Sequence, residues 1–228
     1  GSEPASYTWT VPNVIGANLR IRVRDADNVN VWDESNNPFR IRGKVSVDAP
    51  NGGENFLVGT TQQIKWTPTG TYPQVKLEYS TNAFSDELQT TVIGTVNAGA
   101  SGVQQSTDWT VPDKISTNLK VRISDANDAE VADVSDATFT IKGSLTLISP
   151  ATGVTWIVGE SQNITWTRNG SVANVKLEYS TDGGANYTQT IAESVAGGSS
   201  PYSWTIPDAI DTDVRVRISD VLDGTVKS

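Results

Sequence analysis

Carboxylates and asparagines cluster at one recurring place in this chain of 228 residues. Asp25-Ala26-Asp27-Asn28, with Asp33 beyond it, returns as Asp125-Ala126-Asn127-Asp128 with Asp133, and again as Asp220 with Asp223-Gly224. Oxygen-bearing side chains at this spacing suit a hard cation. Ca²⁺ takes about six to eight oxygen ligands, and Asp125, Asn127, Asp128 and Asp133 could supply part of that shell. Two plainer readings stand beside calcium. Asp and Asn form turns by bonding their own backbone, and Arg40, Arg42 or Lys142 could neutralise the carboxylates across a junction between domains.

Other residues offer weaker chemistry. Arg20, Arg22 and Arg24 make a basic row that could attract anionic glycans or serve as the solvated face of a strand. Glu78 on a neighbouring strand would then pair with Arg122 or Lys120. Trp32 stands where the repeat described below has Ala132. It reads as an aromatic for a sugar face, or as an interface or edge-strand residue. Asn163-Ile164-Thr165, Asn169-Gly170-Ser171 and Asn186-Tyr187-Thr188 match the N-glycosylation pattern. Catalysis finds little support. The chain has no histidine to activate a serine, and no glycine-rich phosphate loop joins a strand to a helix. The expectation is a protein that is not an enzyme.

Composition narrows the class. There is no cysteine, so disulfides, zinc–thiolate sites and thiol nucleophiles are excluded. The net charge of −9 argues against sequence-independent nucleic-acid binding, which needs a cationic surface. No apolar run reaches the length of a membrane span, so no membrane insertion is expected of this segment. Hydrophobic residues make up 36 % and charged residues 19 %, a balance that with abundant Gly, Ser, Thr and Asn suits a turn-rich all-β protein. Gly1-Ser2 reads as a cloning remnant, which would make the chain a mature segment or a slice of something longer.

The elements that carry these residues repeat. Residues 9–43 align without a gap to 109–143, and 45–81 align to 145–181. Val-Lys-Leu-Glu-Tyr-Ser-Thr occurs at 75–81 and again at 175–181. Trp9-Thr10-Val11-Pro12 returns as Trp109-Thr110-Val111-Pro112 and as Trp204-Thr205-Ile206-Pro207, the last copy arriving five residues early. Period-two alternation runs through Leu119-Lys120-Val121-Arg122-Ile123 and its two counterparts. Short alternating runs separated by Asn51-Gly52-Gly53 or Asp182-Gly183-Gly184 predict tandem immunoglobulin-like β-sandwiches of about 100 residues. Trp9, Trp66, Trp109, Trp166 and Trp204 are expected in the cores, with Trp66 and Trp109 on opposite sheets. Trp156, at the Phe56 position, is also expected inside. The expected domains are 1–43, the C-terminal half of a repeat; 44–143, a complete repeat; and 144–228, a repeat lacking its last strand.

The ordered set Ala49-Pro50-Asn51-Gly52-Gly53-Glu54, Gly59, Ile64-Lys65-Trp66-Thr67, Val75 to Thr81, Trp109 to Pro112, Val121 to Asp125 and Phe139-Thr140-Ile141 resembles the Ig-like domain of the Ser/Thr-rich, Kre9/Knh1-like cell-surface protein family. Related repeats occur in long bacterial extracellular proteins. The resemblance implies an extracellular, cell-surface module, linked in fungal members to cell-wall glucan assembly, and it carries over no catalytic residue. The third repeat departs from the pattern with Ala151-Thr152-Gly153-Val154 and without the final strand.

These features predict a structural repeat segment of an extracellular fibre, stalk or adhesin. Its partners would be neighbouring repeats or copies of the same chain, with surface glycans as a further class. The competing reading is a cell-wall or glycan-binding accessory module of a secreted protein. The strand at Phe39 and Ile41 is of the type the third repeat lacks, so head-to-tail strand complementation is one expectation. A slice cut from a longer array is the other.

Overall fold

The computed structural model describes residues 5–228, and the reading of Gly1-Ser2 lies outside them. The front segment forms β1 (Gly16–Leu19), β2 (Arg22–Arg24), β3 (Trp32–Glu34) and β4 (Phe39–Ile41). The complete repeat forms β5 (Lys44–Ala49), β6 (Asn55–Leu57), β7 (Thr61–Thr69), β8 (Gln74–Ser80), a 3₁₀ turn at Glu87–Gln89, β9 (Thr90–Asn97), β10 (Gln105–Thr110), β11 (Ser116–Asp125), β12 (Asp128–Val134) and β13 (Phe139–Lys142). The third repeat forms β14 (Ser144–Ser149), β15 (Ser161–Asn169), β16 (Asn174–Ser180), β17 (Gln189–Ala196), β18 (Tyr202–Thr205) and β19 (Arg215–Asp220).

The strand order identifies the fold. In the complete repeat one sheet runs β10-β7-β5, and the other runs β6-β13-β11-β8-β9 with β12 also on β11. β6 joins β13 in parallel, while β8, β12 and β13 all meet β11 antiparallel. The first strand is thus divided between the two sheets, and the third and fourth strands sit together in the second sheet. This is an immunoglobulin-like sandwich. The third repeat restates it as β14-β15-β18 and β17-β16-β19. The front segment keeps the register of the back half alone. Gly16 pairs with Ile41 and Leu19 with Phe39, as Ser116 pairs with Ile141 and Leu119 with Phe139.

The chain divides into two compact units that are out of phase with the sequence repeats. One takes the described residues up to Gly52 together with Gln63–Asp108 and Lys120–Ala137; the other takes Gly53–Gln62, Trp109–Leu119 and Thr138–Ser228. Each contains one boundary between repeats. In the first unit Trp66 is 2 % exposed, and its indole Nε1–H donates to the Ala98 carbonyl at 3.0 Å. Ser135, also buried, donates to the Pro50 carbonyl and accepts the Val121 N–H. In the second unit Phe56, Trp109 and Phe139 form an aromatic cluster with centroid separations of 5.5–6.5 Å. Its other core gathers Ile164, Trp166, Leu177 and Ile218, and the Trp166 indole donates to the Gly197 carbonyl at 2.8 Å.

Two expectations about tryptophan need correction. Trp66 on β7 and Trp109 on β10 lie on the same sheet, not on opposite ones. Their alternating patterns are alike, and alternation fixes which face a residue takes but not which sheet its strand joins. Trp9 is 44 % exposed and belongs to no strand, so it is not a core residue as expected. It meets only the Phe39 ring edge-on at 6.2 Å, and no β7-like strand lies beside it among the described residues. Trp166 is buried, whereas Trp204 and Trp156 are half-buried and meet each other at 6.2 Å.

This contrast gives a measurable difference. Trp66→Ala should destabilise its unit by about 3–5 kcal/mol, the range for truncating a buried Trp or Phe. Trp9→Ala, at an exposed ring, should change stability by no more than about 0.5 kcal/mol. Urea unfolding followed by circular dichroism checks both.

Candidate functional site: the repeat junction

Each repeat boundary is marked by a glycine with no room for a side chain. A Cβ on Gly43 would lie 2.7 Å from the Tyr72 ring and 3.0 Å from the Thr69 carbonyl. One on Gly143 would lie 2.5 Å from Val172 and 2.9 Å from the Asn169 carbonyl. Tyr72 and Val172 are buried, each following the turn after the long second strand of its repeat. The Tyr72 hydroxyl donates to the Lys44 carbonyl at 2.9 Å, and burial, with the Asp125 charge second, pushes its pKa up to about 12.

Around each glycine the same contacts are made with different residues. In the first unit the Asn13 side chain accepts the Thr71 N–H and donates to the Thr71 hydroxyl, both at 2.8 Å. In the second unit Asp113 accepts the Ser171 N–H at 2.8 Å and the Ser171 hydroxyl at 2.5 Å. Arg40 and Arg42 meet Asp128 at 3.1 and 3.2 Å, and both also pair with Glu130. Lys142 meets Asp223 at 2.8 Å and donates to the Thr225 hydroxyl at 2.8 Å. Asn13 and Asp113, Thr71 and Ser171, and Arg42 and Lys142 are repeat equivalents, as are Asp128 and Asp223. The hydrogen bonds from Ser171 hold the Asp113 carboxyl below the usual range. Lys142, with Thr225 second, holds Asp223 down at about 2.

The residues proposed for calcium are therefore engaged elsewhere. Asp125 is buried and accepts the Asn127 N–H at 2.9 Å. Asp128 faces the two arginines, and Asp133 accepts the Val47 N–H at 2.7 Å. Among the described residues no group of three or more carboxylates is placed to hold a metal ion. Both plainer readings of the acidic loop are seen together, the local turn at Asp125 and the arginine pairing at Asp128.

The Arg-rich strands carry a second recurring arrangement. Arg122 lies 4.5 Å from the Phe84 ring and Arg217 lies 4.0 Å from the Tyr187 ring. Arg22 lies 4.4 Å from the ring of Trp32, which is 52 % exposed. One face of Trp32 therefore carries a guanidinium. Glu78 pairs with Arg122 at 3.0 Å and with Lys76, whereas Lys120 donates to the Asp136 carbonyl instead. Phe39 and Ile41 lie on β4, Phe39 half-buried and Ile41 buried. The Asn169 amide of the second glycosylation match donates to the Val58 carbonyl at 2.6 Å, so that side chain serves the junction.

Sequence reasoning missed Asn13, Asp113, Thr71 and Ser171. The signal was present: Asn13 and Asp113 directly follow the proline of their WTVP strings, and Thr71 and Ser171 directly follow a glycine at the same spacing.

The junction's acid dependence has a definite sign. The folded-state pKa of Asp223 lies below the ordinary carboxylate value, so its contribution is complete above about pH 4 and disappears as pH falls toward about 2. Asp223→Asn should lower the melting temperature at pH 7, and the gap from the parent protein should close as pH falls through that window. Calorimetry across pH measures it.

No protein-family model matches the chain, and no curated protein matches it. Among solved structures it is similar to the Clostridium thermocellum CbhA fibronectin(III)-like modules at 19 % identity, covering 81 % of this chain and 88 % of that one with a TM-score of 0.26. It is also similar to a teleost fish polymeric Ig receptor ectodomain, at 12 % identity over 72 % and 97 % of the two chains with a TM-score of 0.30. A third similarity is to the titin domains z1z2 in complex with telethonin, at 13 % identity over 81 % and 91 % with a TM-score of 0.27. The fold assignment rests on the strand order of the chain itself.

Proposed function

We propose that this chain is a structural repeat segment of an extracellular fibre, stalk or adhesin, and that its working part is the junction that fixes one repeat against the next. The observation that carries the reading is the recurrence of one junction geometry in two chemistries. Asn13–Thr71 becomes Asp113–Ser171, and Arg42–Asp128 becomes Lys142–Asp223. A linker serving only to tether would not need a side-chain-free residue at Gly43 and Gly143, nor matched partners on both sides of it. Exposed ion pairs are each worth about 0–1 kcal/mol, so steric fit at the glycine with the Asp113–Ser171 hydrogen bonds is the larger part of the coupling. The resemblance to the Kre9/Knh1-like repeats supports a cell-surface location.

Gly143→Val places a side chain where even a Cβ is 2.5 Å from Val172. In ¹⁵N relaxation, residues 144–228 of this variant should tumble faster than in the parent protein. Gly224→Val, where nothing lies within 4 Å of the added Cβ, should leave tumbling unchanged. Unchanged tumbling in Gly143→Val, with the fold retained, would overturn a coupling role for the junction. Failure of antibodies against 44–143 to label intact producing cells would overturn the surface location.

A further inference from the structure

The third repeat has an uncovered strip where the complete repeat has a strand. In the complete repeat β13 lies between β6 and β11, with Phe139 and Ile141 fully buried. Residues 144–228 form no counterpart of β6 or β13. Val214 is 39 % exposed where its equivalent Leu119 is fully buried, and Ile157 is 62 % exposed. The neighbouring backbone is unpaired as strand too: β11 begins at Ser116, but β19 begins only at Arg215, four positions later in the repeat. Trp156 and Trp204, which correspond to Phe56 and Trp109 in the aromatic cluster, are half-buried. The strip offers apolar side chains and strand backbone together, which is what an added strand binds.

Resting on the reading as a connecting repeat segment, we propose that this strip receives β4 of a second copy of the chain, Phe39-Arg40-Ile41-Arg42. The match is chemical as well as geometric. Phe39 and Ile41 stand where Phe139 and Ile141 stand, and in the complete repeat's register they would face Val214 and Asp211. The outward residues of β4 are Arg40 and Arg42, whereas β13 has Thr140 and Lys142. The strip is rimmed by Glu160, Asp208, Asp211 and Asp213, at positions where the complete repeat has Thr60, Asp113, Ser116 and Asn118. Three acids are added where one more positive strand arrives. Asp213 pairs with Arg215 at 3.1 Å, so that charge is shared rather than removed. In its own chain β4 is held by two paired positions on β1 and by exposed Trp9, a weaker setting than the buried one β13 occupies. Gly43 follows β4 directly, so the exchange would rebuild a repeat boundary between copies, with Asp208 in the place of Asn13 and Asp113 against Thr71. A contact of this kind joins two different surfaces and propagates as a chain of copies rather than closing as a dimer.

Sedimentation over a concentration series tests the association, and titration of a peptide of residues 37–43 into ¹⁵N-labelled protein tests the strip. The proposal expects concentration-dependent oligomers, lost in Phe39→Asp and also in Val214→Asp, and peptide-induced shifts confined to 154–158 and 204–216. Asp211→Asn with Asp213→Asn should weaken association about tenfold, mainly at low salt. A protein that stays monomeric while binding the peptide assigns the strip to another strand of the same kind and overturns the second copy as occupant. Monomers without peptide shifts overturn the strip as a strand site. Either result leaves the relaxation difference of Gly143→Val untouched, so the junction reading stands or falls separately.

Discussion

At residues 43 and 143 the backbone passes so close to the following repeat that only a hydrogen atom fits in place of a side chain. The remaining junction contacts follow from this approach. It brings Thr71 and Ser171 within reach of Asn13 and Asp113, and it brings the basic residue before each glycine to the loop carrying Asp128 or Asp223. Steric exclusion is also the least adjustable of these interactions. A hydrogen bond can be replaced, and it has been, by an amide in one junction and a carboxylate in the other. A missing Cβ has no substitute among L-residues.

The position of the junction explains why the compact units cut across the repeats. Each unit is organised around one boundary, and both have their densest polar bonding there. The polar partners are short side chains bonding backbone N–H groups, which satisfies donors that a chain crossing between domains would otherwise leave to water. Arg40, Arg42 and Lys142 add long-range attraction, and the Asp223 carboxyl held at about 2 records how strongly one of these pairs favours the charged state.

Much of the fold was legible because the strands obey period two and the repeat supplies an internal comparison. Val75, Leu77 and Ile123 could be assigned inward from alternation alone, and all three are buried. What alternation does not contain is the sheet a strand joins, so Trp66 and Trp109 were separated when they in fact share one. The acidic loop was legible as a site of interaction but not in its chemistry. Asp128 and Arg42 are 86 positions apart, and whether that carboxylate meets a cation or a metal depends on a close approach set by Gly43. Asp25, Asp125 and Asp220 all bond the N–H two residues on, which is the local turn chemistry expected of aspartate.

The near-identical tryptophan strings show how far local sequence reaches. Trp109-Thr110 ends β10 and is buried beside Phe56 and Phe139; Trp204-Thr205 ends β18 and is half-buried; Trp9-Thr10 forms no strand and lies open. Four nearly constant letters take three fates, so propensity does not decide among them. The neighbours do. β7 stands beside β10 and β15 beside β18, but nothing comparable stands beside Trp9 among the described residues. The aromatic partners also decline in order, from two rings closed by β13, to Trp156 and Tyr179 without that strand, to Phe39 alone. By contrast Val75–Thr81 and Val175–Thr181, identical in sequence, have paired strands on both sides and form β8 and β16 in the same register. A strand in this fold is a property of its place in a sheet, and a repeat deprived of one neighbour loses order first along the edge that neighbour would have covered.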